Sequence, residues 1–130
     1  MRNNEQLRGN SKKVNLMETV HMDEGISSEA RMGLPQTSIG SGKTVSFLDS
    51  DGSMFYVVSG TMVTFSVELA TSAFIHMGYI SSNEVWNEIY SGTGNSHSTS
   101  FKISQTGYYR FYITNSSSNT VQVTGGTISF

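Results

Sequence analysis

The chain of 130 residues is long enough for a single domain with its own hydrophobic core. Its formal net charge is −2, and residues 44–130 carry two basic against five acidic side chains, so the basic stripe required for nucleic-acid binding is missing. The absence of cysteine excludes disulfides and thiol chemistry, and no apolar run has the length of a transmembrane segment.

Hydroxyl side chains dominate the composition. Serine occurs 22 times and threonine 13 times, whereas charged residues make up 14% of the chain, against about 25% in typical soluble domains. A surface wetted by hydroxyls is typical of exported β-proteins and adhesive modules. We therefore predict a secreted or cell-surface location, although no signal peptide is visible.

Residues 1–36 differ from the rest of the chain. They hold five of the eight basic residues and no Phe, Trp or Tyr. Such a segment cannot bury enough apolar surface to offset the entropy of ordering it. We predict that residues 1–36 form a partly irregular N-terminal extension and that residues 37–130 form the folded domain.

Residues 40–44 (GSGKT) are similar to the end of a phosphate-binding P-loop. That motif requires a glycine where this chain has Thr37, and it requires a strand before the loop and a helix after it. Here Pro35 precedes the segment and a β pattern follows it. The sequence therefore favours a flexible bend that leads into a strand.

From Thr44 onwards, apolar and polar residues alternate with the period of a half-buried strand. The predicted strands are residues 44–48, 54–58, 62–69, 73–80, 84–90, 98–104, 108–114, 120–124 and 127–130. Residues 84–90 also fit a helical stripe, but the Gly/Ser-rich loop predicted for residues 91–97 favours a strand. Gly125 and Gly126 are predicted to form a turn, and Gly78 predicts a bulge or a close neighbour.

About eight to nine short strands joined by such turns predict an all-β fold. We expect a single antiparallel β-sandwich, jelly-roll-like, with an irregular N-terminal arm. Because the outer strands carry few charges, we expect the arm or a second copy of the chain to cover one sheet edge.

Two aspartates are candidates for a metal site. Asp49 and Asp51 do not belong to an EF-hand, because Phe47 and Val58 occupy positions that must supply oxygen ligands. A looser calcium loop and a plain hairpin turn both remain open, and the turn is favoured. No other cofactor is indicated.

Catalysis has no clear sequence signal. His21, His76 and His97 match no zinc spacing, and no G-x-S-x-G motif exposes a nucleophilic serine. We assign no catalytic residue and predict that the protein is not an enzyme.

Aromatic side chains are the best candidates for binding, because their rings stack on the C–H faces of sugars. The predicted ligand-binding residues are Trp86, Tyr90, Tyr108 and Tyr112. The same residue types also fill cores, and Trp86 fits either role. Alternation places Tyr108 and Tyr112 on the face opposite Phe111 and Ile113.

The C-terminal part of the chain, in which Gly107 precedes the Tyr-rich strand at residues 108–111, resembles small exported β-sandwich domains of Gram-positive bacteria. It is similar to pre-peptidase C-terminal domains and related jelly-roll modules. That resemblance implies a secreted or surface accessory module without catalytic residues.

Together these features predict a non-catalytic extracellular or cell-surface binding module. The expected partner is a carbohydrate or another surface molecule, such as a cell-surface protein. The alternative is a structural or self-assembling envelope protein that forms a homo-oligomer and has no small-molecule ligand.

Overall fold

The computed structural model describes residues 17–21 and 31–130, and every helix or strand in these ranges is a β-strand. The strands are β1 (Met17–His21), β2 (Arg31–Gly33), β3 (Thr37–Ile39), β4 (Thr44–Leu48), β5 (Phe55–Val57), β6 (Met62–Ser81), β7 (Trp86–Lys102), β8 (Gly107–Asn115) and β9 (Val121–Ser129). The all-β prediction is confirmed.

The nine strands form one hydrogen-bonded sheet that folds over on itself into two layers. Strands β6 and β7 run through both layers. In the first layer, the second half of β6 pairs with β8, and β8 also pairs with β4 and β5. In the second layer, the first half of β6 pairs with β9, and β9 also pairs with β2 and β3. All these pairs are antiparallel, whereas β1 pairs with β4 in parallel.

Three predicted interruptions are wrong. Residues 62–69 and 73–80 belong to one strand, the predicted loop at residues 91–97 lies within β7, and the predicted turn at Gly125 and Gly126 lies within β9. The β6–β7 register shifts between Glu68 and Ala73, where both strands pass from one layer to the other. Glycine and serine there allow a strand to bend, instead of ending it.

Part of the predicted N-terminal arm is regular. The structure describes β1 and β2 within residues 1–36, and β1 lies along the outer edge of β4. Such pairing blocks an edge that would otherwise expose its backbone groups. Residues 1–16 and 22–30 lie outside the described residues, so the predicted domain boundary stays a prediction.

Aromatic side chains join the two layers at the core. Phe111 of the first layer lies 6.0 Å from Phe65 and 6.2 Å from Phe101 of the second layer, measured between ring centroids. Phe47, Phe65 and Phe111 are fully buried. Burying each such ring contributes about 1.5–3 kcal/mol, so this cluster fixes the spacing of the layers.

The GSGKT segment is a bend, as predicted, and it connects β3 to β4. Gly42 adopts a φ of 73°, in the left-handed region that favours glycine. The Gly42 N–H donates to the carbonyl of Asn115 at 2.8 Å, and the Asn115 N–H donates to the carbonyl of Lys43 at 2.9 Å. The bend is therefore held by the end of β8.

Candidate functional site

The outer face of the first layer concentrates exposed rings. On β8, strict alternation sends Tyr109, Phe111 and Ile113 into the core, and it leaves Tyr108 and Tyr112 on the opposite side. The neighbouring strands bring further rings to this side. We call these five residues the aromatic face: Tyr56, Phe74, Trp86, Tyr108 and Tyr112.

The outer face of the second layer has a different chemistry. Hydroxyls pair across β6 and β7, with Thr64 Oγ1 lying 3.0 Å from Ser100 Oγ and Ser66 Oγ lying 3.0 Å from Ser98 Oγ. This is the hydroxyl-rich surface that the composition predicts. The rings are thus segregated onto one of the two outer faces.

Two ring pairs form the centre of the aromatic face. Tyr56 and Tyr108 lie side by side on β5 and β8, with ring centroids 5.2 Å apart, and they are 55% and 53% exposed. Trp86, half-buried at the start of β7, packs against Tyr112 at 4.9 Å. The rings of Tyr56 and Tyr108 are therefore exposed to solvent. Trp86 and Tyr112 form a second, more buried pair, which we call the Trp86–Tyr112 platform.

Tyr112 lies on the side of β8 that alternation predicts, but it is only 4% exposed, whereas Tyr108 is 53% exposed. Gly78 makes room for it: a Cβ on Gly78 would lie 2.8 Å from the Tyr112 ring and 2.1 Å from the carbonyl oxygen of Asn87. The close neighbour predicted for Gly78 is therefore confirmed, together with a register shift at Met77 and Gly78. Burial, and secondarily the charge of Glu88, raises the pKa of Tyr112.

Two pairs of polar side chains lie between and beside the rings. Arg110, two residues from both Tyr108 and Tyr112 on β8, donates from Nη2 to both carboxylate oxygens of Glu84 at 2.7 and 3.0 Å. Glu84 lies in the turn between β6 and β7 with a φ of 64°, which is unusual for a residue other than glycine. Arg110 therefore ties this turn to β8.

His76 and Glu88 form a second close pair. Their Nδ1 and Oε1 atoms lie 3.0 Å apart, but the groups are too poorly aligned for a hydrogen bond. The His76 ring also meets the Phe74 ring edge-on at 5.0 Å. This end of the aromatic face is thus partly polar.

Tyr90 does not belong to the aromatic face. It packs against the core, and its hydroxyl lies 2.9 Å from Nδ1 of the buried His97. Because a carbonyl only accepts, the 2.8 Å contact between His97 Nε2 and the oxygen of Gly94 places a proton on Nε2, and Tyr90 donates to Nδ1. Gly92 leaves the space for the Tyr90 hydroxyl, which would lie 2.7 Å from an added Cβ. Tyr90 therefore stabilises the bent part of β7, where it contacts His97 and Gly92.

Asp49 and Asp51 lie in the hairpin between β4 and β5. Asp49 Oδ1 accepts from the Ser50 N–H at 2.7 Å, and Asp51 Oδ1 accepts from the N–H and hydroxyl of Ser53 at 3.0 and 2.6 Å. The Gly52 N–H closes the turn onto the carbonyl of Asp49. Across the described ranges, no group of three or more acidic or histidine side chains converges, so these bonds fit a turn better than they fit a calcium cage.

The sequence analysis missed Tyr56 and Phe74. Tyr56 stands between the buried Phe55 and Val57, so alternation alone indicates an outward phenol. Phe74 is 39% exposed and precedes the buried Ile75. Its orientation could not be read from the sequence, because residues 73–80 are apolar at both alternating sets of positions.

Comparisons with known proteins bear on the fold. No family model and no curated protein matches the chain. Its structure is similar to that of Aeromonas hydrophila PliG, a periplasmic inhibitor of g-type lysozyme, with a TM-score of 0.55 and 11% identity over 87% of this chain and 97% of that chain.

The structure is also similar to the pre-peptidase C-terminal domain of a collagenase from Bacillus anthracis. The TM-score is 0.54 and the identity 15%, over 92% of this chain and 98% of that chain. At such low identities the likeness concerns the fold alone. It confirms the β-sandwich, and it agrees with the resemblance to pre-peptidase C-terminal domains. No helix with the length and hydrophobicity of a membrane span occurs in the described part of the chain.

Proposed function

We propose that the protein is a non-catalytic binding module that acts outside the cytoplasm and recognises carbohydrate through the aromatic face. The observation that carries this proposal is the adjacent pair Tyr56 and Tyr108, each more than half exposed, beside the Trp86–Tyr112 platform. Aromatic rings combine a large apolar area with a negative π face. The C–H face of a pyranose stacks favourably on such a surface.

The spacing of the two ring pairs favours an extended ligand. Tyr108 and Tyr112 are four residues apart on β8, which corresponds to about 13 Å at ~3.3 Å per residue. Between them, Arg110 and Glu84 offer a donor and an acceptor to sugar hydroxyls. An oligosaccharide that crosses β8 would contact both ring pairs, whereas a single sugar would contact one.

The acid–base groups of the face support binding without catalysis. Hydrolysis of a glycoside requires one carboxyl group to protonate the leaving group and a second to act as base or nucleophile. Glu84 is paired with Arg110, and Glu88 lies against His76. Both ring nitrogens of His97 are engaged by Tyr90 and Gly94.

The similar folds support the same proposal. One is a periplasmic inhibitor of a lysozyme, a non-catalytic protein that acts outside the cytoplasm, and the other is a pre-peptidase C-terminal domain of a collagenase. The Gram-positive origin and a calcium ion at Asp49 and Asp51 stay predictions.

Retention on insoluble polysaccharides tests the proposal. The purified protein is incubated with cellulose, chitin, xylan or peptidoglycan, and the bound fraction is measured. We expect retention on at least one polymer and a loss of affinity of roughly fivefold or more in the Tyr56→Ala/Tyr108→Ala double variant, because two exposed rings at about 0.5–1.5 kcal/mol each are removed.

Met62→Ala is the matched control. Met62 is 53% exposed and begins β6, and its side chain lies on the outer face of the second layer. This variant should retain the affinity of the parent protein. If the protein is retained on none of the polymers, or if the double variant binds as well as Met62→Ala, the aromatic face is not a carbohydrate site. Concentration-dependent self-association through that face would instead favour the structural alternative.

A further inference from the structure

A concave feature separate from the aromatic face opens at one end of the sandwich. There, the turn between β6 and β7 faces the segment that joins β7 to β8, and a cleft of about 200 Å³ lies between them. We call it the end cleft. Its lining includes Tyr79, Asn83, Val85, Asn87, Gln105 and Tyr109.

The end cleft contains polar groups that the fold does not use. Among the described residues, the hydroxyl of Tyr79, the side-chain amide of Gln105 and Nδ2 of Asn83 have no hydrogen-bond partner. Asn83 Oδ1 accepts from the hydroxyl of Ser81, which fixes the amide so that Nδ2 stays free. Asn87 donates only a long contact of 3.4 Å to the carbonyl of Val85, and its Oδ1 stays unbonded.

The remaining wall is apolar and rigid. Tyr79 stacks on Phe101 with ring centroids 5.2 Å apart and planes 10° from parallel, and Tyr109 meets Tyr79 edge-on at 5.5 Å. The Tyr109 hydroxyl donates to the carbonyl of Gln105 at 2.5 Å, which holds the opposite wall in place. Val85, 50% exposed, forms the rim. The unused polar groups line the cleft beside these packed rings, and those of Asn83 and Gln105 belong to exposed residues.

The lining holds no Asp, Glu, Lys, Arg or His. An anion or cation would therefore have no charge partner there, and burying an unpaired charge is costly. The free groups include both donors and acceptors, as sugar hydroxyls require, and the space suits one ring instead of a chain.

We infer that the end cleft binds one neutral sugar residue, held by the Tyr79 hydroxyl and the amides of Asn83, Asn87 and Gln105. The inference rests on the proposed function for the ligand class only, because the cleft is separate from the aromatic face. The β6–β7 turn divides the two: Val85 borders the cleft, whereas the next residue, Trp86, belongs to the aromatic face. A chain end in the cleft could continue over this rim onto the rings.

Titration with single sugars tests the inference. The ¹⁵N-labelled protein is titrated with methyl β-D-glucopyranoside, methyl β-D-galactopyranoside, methyl α-D-mannopyranoside and N-acetyl-D-glucosamine, and side-chain amide resonances are followed. We expect at least one sugar to shift the amides of Asn83, Asn87 and Gln105 in a saturable manner. Tyr79→Phe keeps the stacked ring and should weaken binding by roughly 3- to 10-fold, the cost of about one neutral hydrogen bond.

Gln105→Ala should weaken binding to a similar degree, whereas Asn119→Ala removes an exposed amide outside the cleft and should leave the affinity unchanged. The inference is overturned if none of the four sugars moves the cleft amides, or if the shifts persist in a Tyr79→Phe/Gln105→Ala double variant. Retention on polymers is measured separately from the titration with single sugars. A failure of the aromatic-face proposal in the first assay therefore does not decide the outcome for the cleft, and a failure of the cleft in the second assay does not decide the outcome for the aromatic face.

Discussion

Tyr112 shows how the aromatic face is linked to the stability of the fold. Burial, and then the Glu88 carboxylate, raises the pKa of its phenol above the ordinary value of 10.0. Burial, and then Tyr79, also raises the pKa of Tyr109. In the unfolded chain both phenols ionise near pH 10. The stability they contribute is therefore complete below pH 10 and is lost as the pH rises above it.

We predict that the free energy of unfolding falls above pH 10 with a slope of about 1.4 kcal/mol per pH unit for each phenol that stays protonated only in the folded state. Tyr112→Phe removes one of these phenols and should make the decline shallower. Urea unfolding at about pH 9 and about pH 11 measures the difference.

Tyr108→Phe is the control, because it removes an exposed phenol from the same strand. Its dependence on pH should follow that of the parent protein. Equal slopes for Tyr112→Phe and the parent protein would show that the Tyr112 phenol ionises as readily in the folded state as in the unfolded chain.

Ser46 raises a different question, because its hydroxyl is fully buried and has no hydrogen-bond partner. Leaving a buried hydroxyl unsatisfied costs about 1–3 kcal/mol. We predict that Ser46→Ala raises the free energy of unfolding by about 1 kcal/mol, measured by urea denaturation.

Thr44→Val, in the same strand, is the comparison for Ser46→Ala. The Thr44 hydroxyl lies 2.7 Å from that of Thr114, so its removal breaks a hydrogen bond and should not stabilise the protein. A loss of stability in Ser46→Ala would mean that the hydroxyl has a partner after all.

At the scale of the strands, two adjacent glycines in β9 have different roles. Gly126 has a φ of 139°, and an added Cβ would lie 2.2 Å from the carbonyl oxygen of Ser66 on β6. Gly125 has no atom within 4 Å of the same position. Only Gly126 is therefore required by the close approach of β6 and β9.

We predict that Gly126→Ala lowers the free energy of unfolding by at least about 2 kcal/mol, because a backbone clash and an unfavourable φ act together. Gly125→Ala should change it by less than about 1 kcal/mol. Urea denaturation of both variants measures the contrast, and equal effects would contradict it.

The strands also show where sequence reasoning reached its limit. Alternation located the paired parts of β6, β7 and β9, but each was predicted as two separate strands. At Glu68–Ala73 of β6 the strand crosses between layers, and three consecutive exposed residues, Ala70, Thr71 and Ser72, interrupt the alternation of buried and exposed side chains. A Gly/Ser-rich sequence such as residues 91–97 is equally compatible with a loop and with a bent strand.

The candidate site was predictable to a similar extent. Alternation placed Tyr108 outward and Phe111 inward, and the structure agrees. Whether an outward ring stays exposed depends on the neighbouring strand, and Trp86 covers Tyr112 because β6 and β7 pair with a shift at Gly78. Such long-range pairing is not encoded in a local pattern.

At the scale of the whole molecule, the folded sheet separates two surfaces of opposite chemistry. Hydroxyl pairs such as Thr64–Ser100 cover the second layer, and rings cover the first. A hydroxyl surface without rings gains little from contact with a sugar face, whereas the rings lose little by being covered. Under the proposed function, this asymmetry assigns sugar binding to the first layer.

The N-terminal strand makes a prediction about the assembly of the whole fold. Strand β1 pairs with β4 over five residues, Met17–His21. A chain that begins at Arg31 lacks β1 and retains β2, so the outer edge of β4 exposes unpaired N–H and carbonyl groups. We predict a loss of about 2 kcal/mol or more in the free energy of unfolding, because several hydrogen bonds of about 0.5–1.5 kcal/mol are removed. We also predict association that rises with concentration, measured by light scattering.

A chain that begins at Val14 is the matched control, because it is shortened but keeps β1. It should have the stability and the association state of the full chain. If the chain that begins at Arg31 instead stays monomeric at high concentration and unfolds at the same urea concentration as the control, the edge of β4 needs no cover. The parallel pairing of β1 would then contribute nothing to the fold, and the low charge of the edge strands would require a different explanation.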